Sequence, residues 1–159
     1  MLNATYGPSI EALKNIQAAA HARGIQILPV EVRNVGEIDT GMKLLTQRRA
    51  AALIVLTEPV LFARRRQIAD LARRVKVPTI YQYREGPEDG GLMSYGQNLV
   101  STWKQAAAFV DKILKGAKAG ELPFEQPTNL ELVVNQRIAK ELSITIPQSI
   151  LLRADKVIE

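Results

Sequence analysis

Three apolar runs in this 159-residue chain end on side chains suited to holding a small polar molecule. The run at 50–56 leads into Thr57 and Glu58, the run at 77–80 into Tyr81, Gln82, Tyr83 and Arg84, and Leu92-Met93 into Ser94, Tyr95 and Gly96. Asn3 follows the opening Met1-Leu2 in the same way. Thr57 and Ser94 offer hydroxyls that both donate and accept. Tyr81 and Tyr83 offer flat apolar surface with a polar tip, and Glu58 can meet an amino group. This is recognition chemistry. Each residue also has a plain structural reading: Tyr81 or Tyr83 packs on a sheet. Glu58, just before Pro59, favours a helix N-terminus, and Gly96 permits a turn.

Bond-making chemistry finds little support. His21 is the single histidine and lies among alanines next to Arg23 in a helical pattern, a solvated position. With one histidine and no cysteine, a zinc site would need three clustered carboxylates. Glu85, Glu88 and Asp89 lack the alternating spacing of a calcium loop and read as a surface loop. No G-x-S-x-G, P-loop or G-x-G-x-x-G motif occurs. No catalytic residue, metal or cofactor is therefore expected.

The elements that must position these residues alternate. Residues 8–23 have Ile10, Leu13, Ile16 and Ala20 at helical spacing, with Pro8 at the start and Gly24 at the stop. Residues 25–32 read as a strand placed at a sheet edge by Pro29. Residues 37–47 form a helix with Ile38, Met42 and Leu45 on one side. Residues 50–56 form a buried parallel strand, 59–75 a helix, 77–81 a strand, and 92–95 a short strand after a polar loop. Strict alternation with short connections specifies an α/β layer structure with a mostly parallel sheet. Beyond Tyr95 the pattern changes. Asn98 caps a helix to Leu114, 115–128 connects, 130–134 is a strand, and helices are expected at 135–142 and 147–158.

Length and composition fit an ordinary globular domain, and no apolar run is long enough to span a bilayer. The opening Met1-Leu2-Asn3-Ala4-Thr5-Tyr6 is not a secretory signal. The net charge of +5 gathers in Arg48-Arg49, Arg64-Arg65-Arg66 and Arg73-Arg74. Without interleaved aromatic residues these read as solvated helix faces, so nucleic acid is not an expected partner.

The loop 90–98, Gly-Gly-Leu-Met-Ser-Tyr-Gly-Gln-Asn, and the tail from Leu122-Pro123-Phe124 to the final Asp155-Lys156-Val157-Ile158-Glu159 resemble the second half of the substrate-binding proteins of a bacterial ABC-transporter family. Some members bind aromatic amino acids. The resemblance implies a periplasmic-binding-protein type I lobe of flavodoxin-like strand order. Residues 1–96 would form the second lobe, and 97–159 the crossover helix, hinge strand and C-terminal helices. It implies a non-enzymatic solute receptor of an ABC importer, with an amino-acid-like ligand held between two lobes and an ABC permease as partner. Intact relatives would act in the periplasm or anchored outside the cytoplasmic membrane. Applied to strand ends, it implies ligand contacts from Asn3, Thr57, Glu58, Tyr81, Tyr83, Ser94 and Tyr95. It also implies that the first central strand is largely missing, leaving a gap between the strands at 25–32 and 50–56. A homodimer, possibly segment-exchanged, would answer that gap, and one lobe alone would bind ligand weakly. Two other readings use the same architecture. One is a ligand-sensing regulatory module. The other is a small flavodoxin-like enzyme, for which the only phosphate-loop candidate is 4–9, poor in glycine and hydroxyls.

Overall fold

The computed structural model describes residues 1–125 and 129–159. Its sheet runs β1 (Leu53–Val55), β2 (Thr79–Tyr81), β3 (Met93–Gln97), β4 (Leu130–Asn135) and β5 (Lys156–Ile158) in that spatial order. β1, β2 and β3 are parallel, β4 is antiparallel to β3, and β5 is parallel to β4. Beyond β1, the opening residues take up one more strand position. The Met1 amine donates to the Ile54 carbonyl at 2.6 Å, and Leu56 N donates to the Met1 carbonyl at 3.0 Å. On the far side Leu2 N donates to Val30 O at 2.9 Å, and Val32 N to Leu2 O at 2.8 Å. The remnant at Met1–Leu2 therefore lies between 30–32 and β1, giving the flavodoxin-like order 2-1-3-4-5.

The helices are α1 (Gly7–His21), α2 (Ile38–Gln47), α3 (Pro59–Ala63), α4 (Arg65–Arg74), α5 (Glu85–Glu88), α6 (Leu99–Leu114), α7 (Gln136–Glu141) and α8 (Gln148–Leu151). The apolar stripe of α2 buries Ile38, Met42 and Leu45 as its spacing predicts. With Ile68 and Ala72 of α4, these side chains cover Val30, Val32, Leu53, Val55 and Met1 in one core. A second core joins Leu92, Ile138 and Ala139 to Ile144 and Ile146. α1 contrasts with α2. Only Ser9 and Ala20 of it are buried, and Leu13 and Ile16 are half-covered.

Four sequence expectations are corrected. The helix expected at 147–158 is one turn, α8, followed by β5. Asp155 decides this: its amide donates to Leu132 O at 2.9 Å and its carboxylate accepts from Leu132 N at 2.8 Å, drawing the tail onto β4. The strand expected at 25–32 holds a ladder only around Glu31, where Leu2 reaches it, and residues 25–30 have no strand hydrogen bonds. The helix expected at 59–75 breaks at Arg64, whose backbone (φ −107°, ψ 11°) is not helical. The surface loop expected at 85–89 is the short helix α5, with Gly86 and Pro87 buried against the sheet. Part of the expected connection at 115–128 lies outside the described residues.

Candidate functional site: one wall of a cleft

In an open α/β sheet the strand order reverses beside the first strand, and the crevice at that point admits ligands at the carboxyl ends. Here the reversal lies between the Met1–Leu2 remnant and β1, so Asn3 and Thr57 stand at its mouth. Asn3 is held in an Asx turn: its Oδ1 accepts from Thr5 N at 3.0 Å and from Thr5 Oγ1 at 2.7 Å. Its Nδ2 reaches Glu58 Oε2 at 3.5 Å.

Glu58 is buried and its carboxylate is committed. It accepts from Leu61 N at 2.7 Å and from Val60 N at 3.2 Å, capping α3, while Pro59 occupies the first turn. The helix-start reading of this residue thus describes its contacts. Thr57 remains half-exposed and borders a cavity of about 10 Å³ with Phe62, Arg65, Tyr81, Tyr83 and Gly86. That volume suits one water molecule, not an amino acid.

The two tyrosines part because β2 ends at Tyr81, so Tyr83 lies in the bend that follows and not in the ladder. Tyr81 is buried in the main core, its hydroxyl donating to Arg65 O at 3.3 Å, and burial pushes its pKa upward. Gly86 and Gly91 press on its ring, where a Cβ at either position would collide with Tyr81. Tyr83 is half-exposed and meets Phe62 edge to face at 5.9 Å. Partial burial, then Glu85 and Tyr6, raise its pKa. The Arg65 guanidinium lies 4.7 Å from the Phe62 ring centroid and pairs with Asp89 at 2.8 Å.

Ser94 and Tyr95 do not share a surface. Ser94, opposite Tyr81 in the ladder, is buried, and its hydroxyl has no partner among the described residues. Tyr95 is 52% exposed on the other face. The expectation that Gly96 serves a turn is corrected too. A side chain there would collide with the Gln82 carbonyl, so close approach of backbone sets its identity. Thr57 and Tyr83 therefore share one small cavity at the rim of the crevice with Tyr81 behind it, Asn3 joins Glu58 beside it, and Ser94 and Tyr95 lie elsewhere. Strand-end reasoning missed Phe62, Arg65 and Tyr6. Phe62 and Arg65 lie a helical turn past a strand end, a position that could have been inspected because the first helical turn borders the same crevice.

Next to this rim, charges brace the crossover. Arg84 bonds Glu131 at 3.0 Å and Glu88 at 3.0 Å; Lys156 meets Glu88 at 2.8 Å, and Asn98 meets Glu131 at 2.9 Å. Burial alone would raise the Glu88 pKa, but its bonds to Lys156 and Arg84 hold it below the usual value. From this anchor α6 departs, capped by Asn98 (Ser101 N to Oδ1, 3.1 Å), and none of its residues is buried. Trp103 is 72% exposed and Leu114 81%.

The sequence matches the model of the family described as ABC transporter substrate binding protein over residues 1–158. The chain belongs to that family. Its fold is similar to that of the ABC domain in complex with L-Trp from Streptococcus pneumoniae (TM-score 0.88, 24% identity, 98% of this chain, 52% of that one). It is similar to a conserved domain protein from Vibrio cholerae O1 biovar El Tor (TM-score 0.87, 21% identity, 98% and 52%). It also resembles the ligand-free, open structure of a substrate binding protein with adhesive properties from Clostridium difficile (TM-score 0.72, 20% identity, 99% and 52%). This member thus spans about half the length of the solved structures it matches. No curated protein matches the sequence significantly. Among the described residues, no helix is long and apolar enough to cross a membrane.

Proposed function

We propose that this family member is the second lobe of a solute receptor for an ABC importer, holding an amino-acid-like molecule against one wall of a two-walled cleft. The observation that carries the reading is the rim at the strand-order reversal, where Thr57 and Tyr83 border a space too small to enclose a ligand and Asn3 reaches Glu58 beside it. A second body must close the other wall. The role is non-catalytic: the rim binds, and closure around the ligand creates the surface read by a permease outside the cytoplasmic membrane. Residues 1–96 act as the lobe and 97–159 as crossover, hinge and tail.

Ligand contact by one wall forfeits half of the interactions, so an aromatic amino acid binds this chain in the millimolar range or weaker. Backbone NMR with L-tryptophan and L-tyrosine tests this. Shifts confined to Asn3, Thr57, Tyr83 and Phe62 support the site. Calorimetric binding at micromolar concentration, or shifts confined to other surfaces, refutes it.

The exposed face of α6, with Val100, Trp103, Val110 and Leu114, is covered in solution by a second copy, each α6 docking across the dimer as an exchanged segment. Light scattering at micromolar concentration is expected to give the mass of a dimer. A monomer at that concentration overturns this part and leaves the ligand reading untouched.

A further inference from the structure

α2 and α4 pack side by side, and a groove of about 440 Å³ runs between them. Ile38 and Leu45 of α2 and Ile68 and Ala72 of α4 are committed to the core. Met42, Leu71 and Val75 are left to form the groove floor, with Leu71 and Val75 one helical turn apart. Met42 is 4% exposed, so the floor is recessed; Val75 is 37% exposed and stands half-open to solvent.

Cations frame this floor. Lys43 of α2 and Arg74 of α4 stand on opposite rims. The chain leaves α2 through Arg48 and Arg49, and leaves α4 through Lys76. The two turns lead into β1 and β2, parallel neighbours with Leu53 opposite Thr79, so both emerge at the same edge of the sheet. Arg49 and Lys76 take φ values of 51° and 56°, a conformation that favours glycine, and each position carries a cation instead. Among the described residues, none of these five cations pairs with a carboxylate. Arg73 differs: it bonds Asp70 at 2.7 Å and Glu141 at 3.4 Å. Asp39 is the one acid bordering the groove among the described residues. Helix dipoles explain cations at the last turns of α2 and α4, but Lys43 lies in the middle of α2 and answers no dipole.

An apolar floor within an uncompensated cationic frame matches apolar side chains flanked by carboxylates. The Leu71-Val75 ridge beside a groove is a surface on which another helix packs. A bilayer surface is flat and does not reach a recessed floor. Nucleic acid would engage the cations, but no aromatic residue borders the groove to stack a base. We propose that the groove between α2 and α4 is a docking site for an acidic amphipathic helix of a partner protein, its apolar ridge laid on Met42, Leu71 and Val75 and its carboxylates facing Lys43, Arg74 and the cations of the two turns. Covering the floor supplies affinity. The cations supply orientation and a long-range attraction that weakens with salt. The groove shares no residue with the ligand rim or with α6, and the proposal stands independently of the receptor function.

The test is fluorescence anisotropy with the full chain and a labelled peptide of two Leu-Glu-Glu-Leu-Leu-Glu-Glu repeats. Saturable binding at low salt is expected, with amide shifts by NMR at Lys43, Leu71 and Val75. The peptide with glutamine at every glutamate position should bind about tenfold weaker, through loss of charge complementarity. Lys43→Glu combined with Arg74→Glu should weaken the glutamate peptide by about as much, with thermal unfolding little changed because both side chains are exposed. Val75→Ser should cost about threefold, through lost apolar contact. Absence of saturable binding up to millimolar peptide, equal affinity for the glutamine peptide, undiminished binding by the charge-reversed chain, or shifts confined to other surfaces overturns the proposal. Tighter binding of a single-stranded oligonucleotide, or of phosphatidylglycerol vesicles, than of the peptide overturns it too and assigns the cations to that polyanion.

Discussion

In a polypeptide that starts at Met1, the terminal amine makes stability depend on pH in a window where most proteins are nearly flat. Burial lowers its pKa from 8.0 to about 5. The unfolded chain therefore takes up a proton between pH 8 and pH 5 that the native chain refuses, so stability rises with pH through that window. It is greatest above pH 8 and falls as the pH drops towards 5. At ~1.36 kcal/mol per pH unit the full span corresponds to about 4 kcal/mol, with about 1.4 kcal/mol already lost at pH 7. Against a typical total stability of about 5–15 kcal/mol this is a large fraction. The perturbation is N-terminal acetylation, which removes the titration and places a carbonyl where Val30 N can donate. Urea unfolding of the free and acetylated chains at intervals from pH 5 to 8.5 reads the effect. His21 is common to both chains, and Glu88, held low by Lys156 and Arg84, loses its contribution only below its usual range. The difference between the two curves isolates the amine. The acetylated chain should gain up to about 4 kcal/mol on the free chain from pH 8.5 to pH 5. A constant gap across that range would refute the reasoning.

Four further outcomes follow from local geometry. Gly86→Ala drives a methyl into the Tyr81 ring and should cost about 2–3 kcal/mol by thermal unfolding, as overpacking does. Lys76→Gly should stabilise by about 1 kcal/mol, since Lys76 ends α4 at φ 56°, a left-handed conformation that costs a side chain and suits glycine. Glu58→Gln, read by urea unfolding, should lose about 1–2 kcal/mol through weakened capping of Val60 N and Leu61 N. Thr57→Val should leave stability within about 0.5 kcal/mol while removing ligand-induced shifts at the rim.

Local signals carried far in this chain. The Ile38-Met42-Leu45 stripe, the Asn98 cap and Pro59 at a helix start depend on periods and side-chain reach within a few residues, and each appears as the sequence implies, whereas the run at 50–56 is a strand only over Leu53–Val55. The strand ends themselves were legible, since alternating α/β elements place those ends on one edge. What each strand-end residue does was not legible. Glu58 was free to cap or to bind until Leu61 N came within 2.7 Å. Ser94 was a candidate until its register with Tyr81 turned it inward. The tail at 147–158 became a turn and a strand because Asp155 found Leu132, 23 residues away. Sequence by itself determined the alternation of elements and the family. Tertiary structure alone decided which hydroxyls and carboxylates remain free, because that depends on partners distant in the chain.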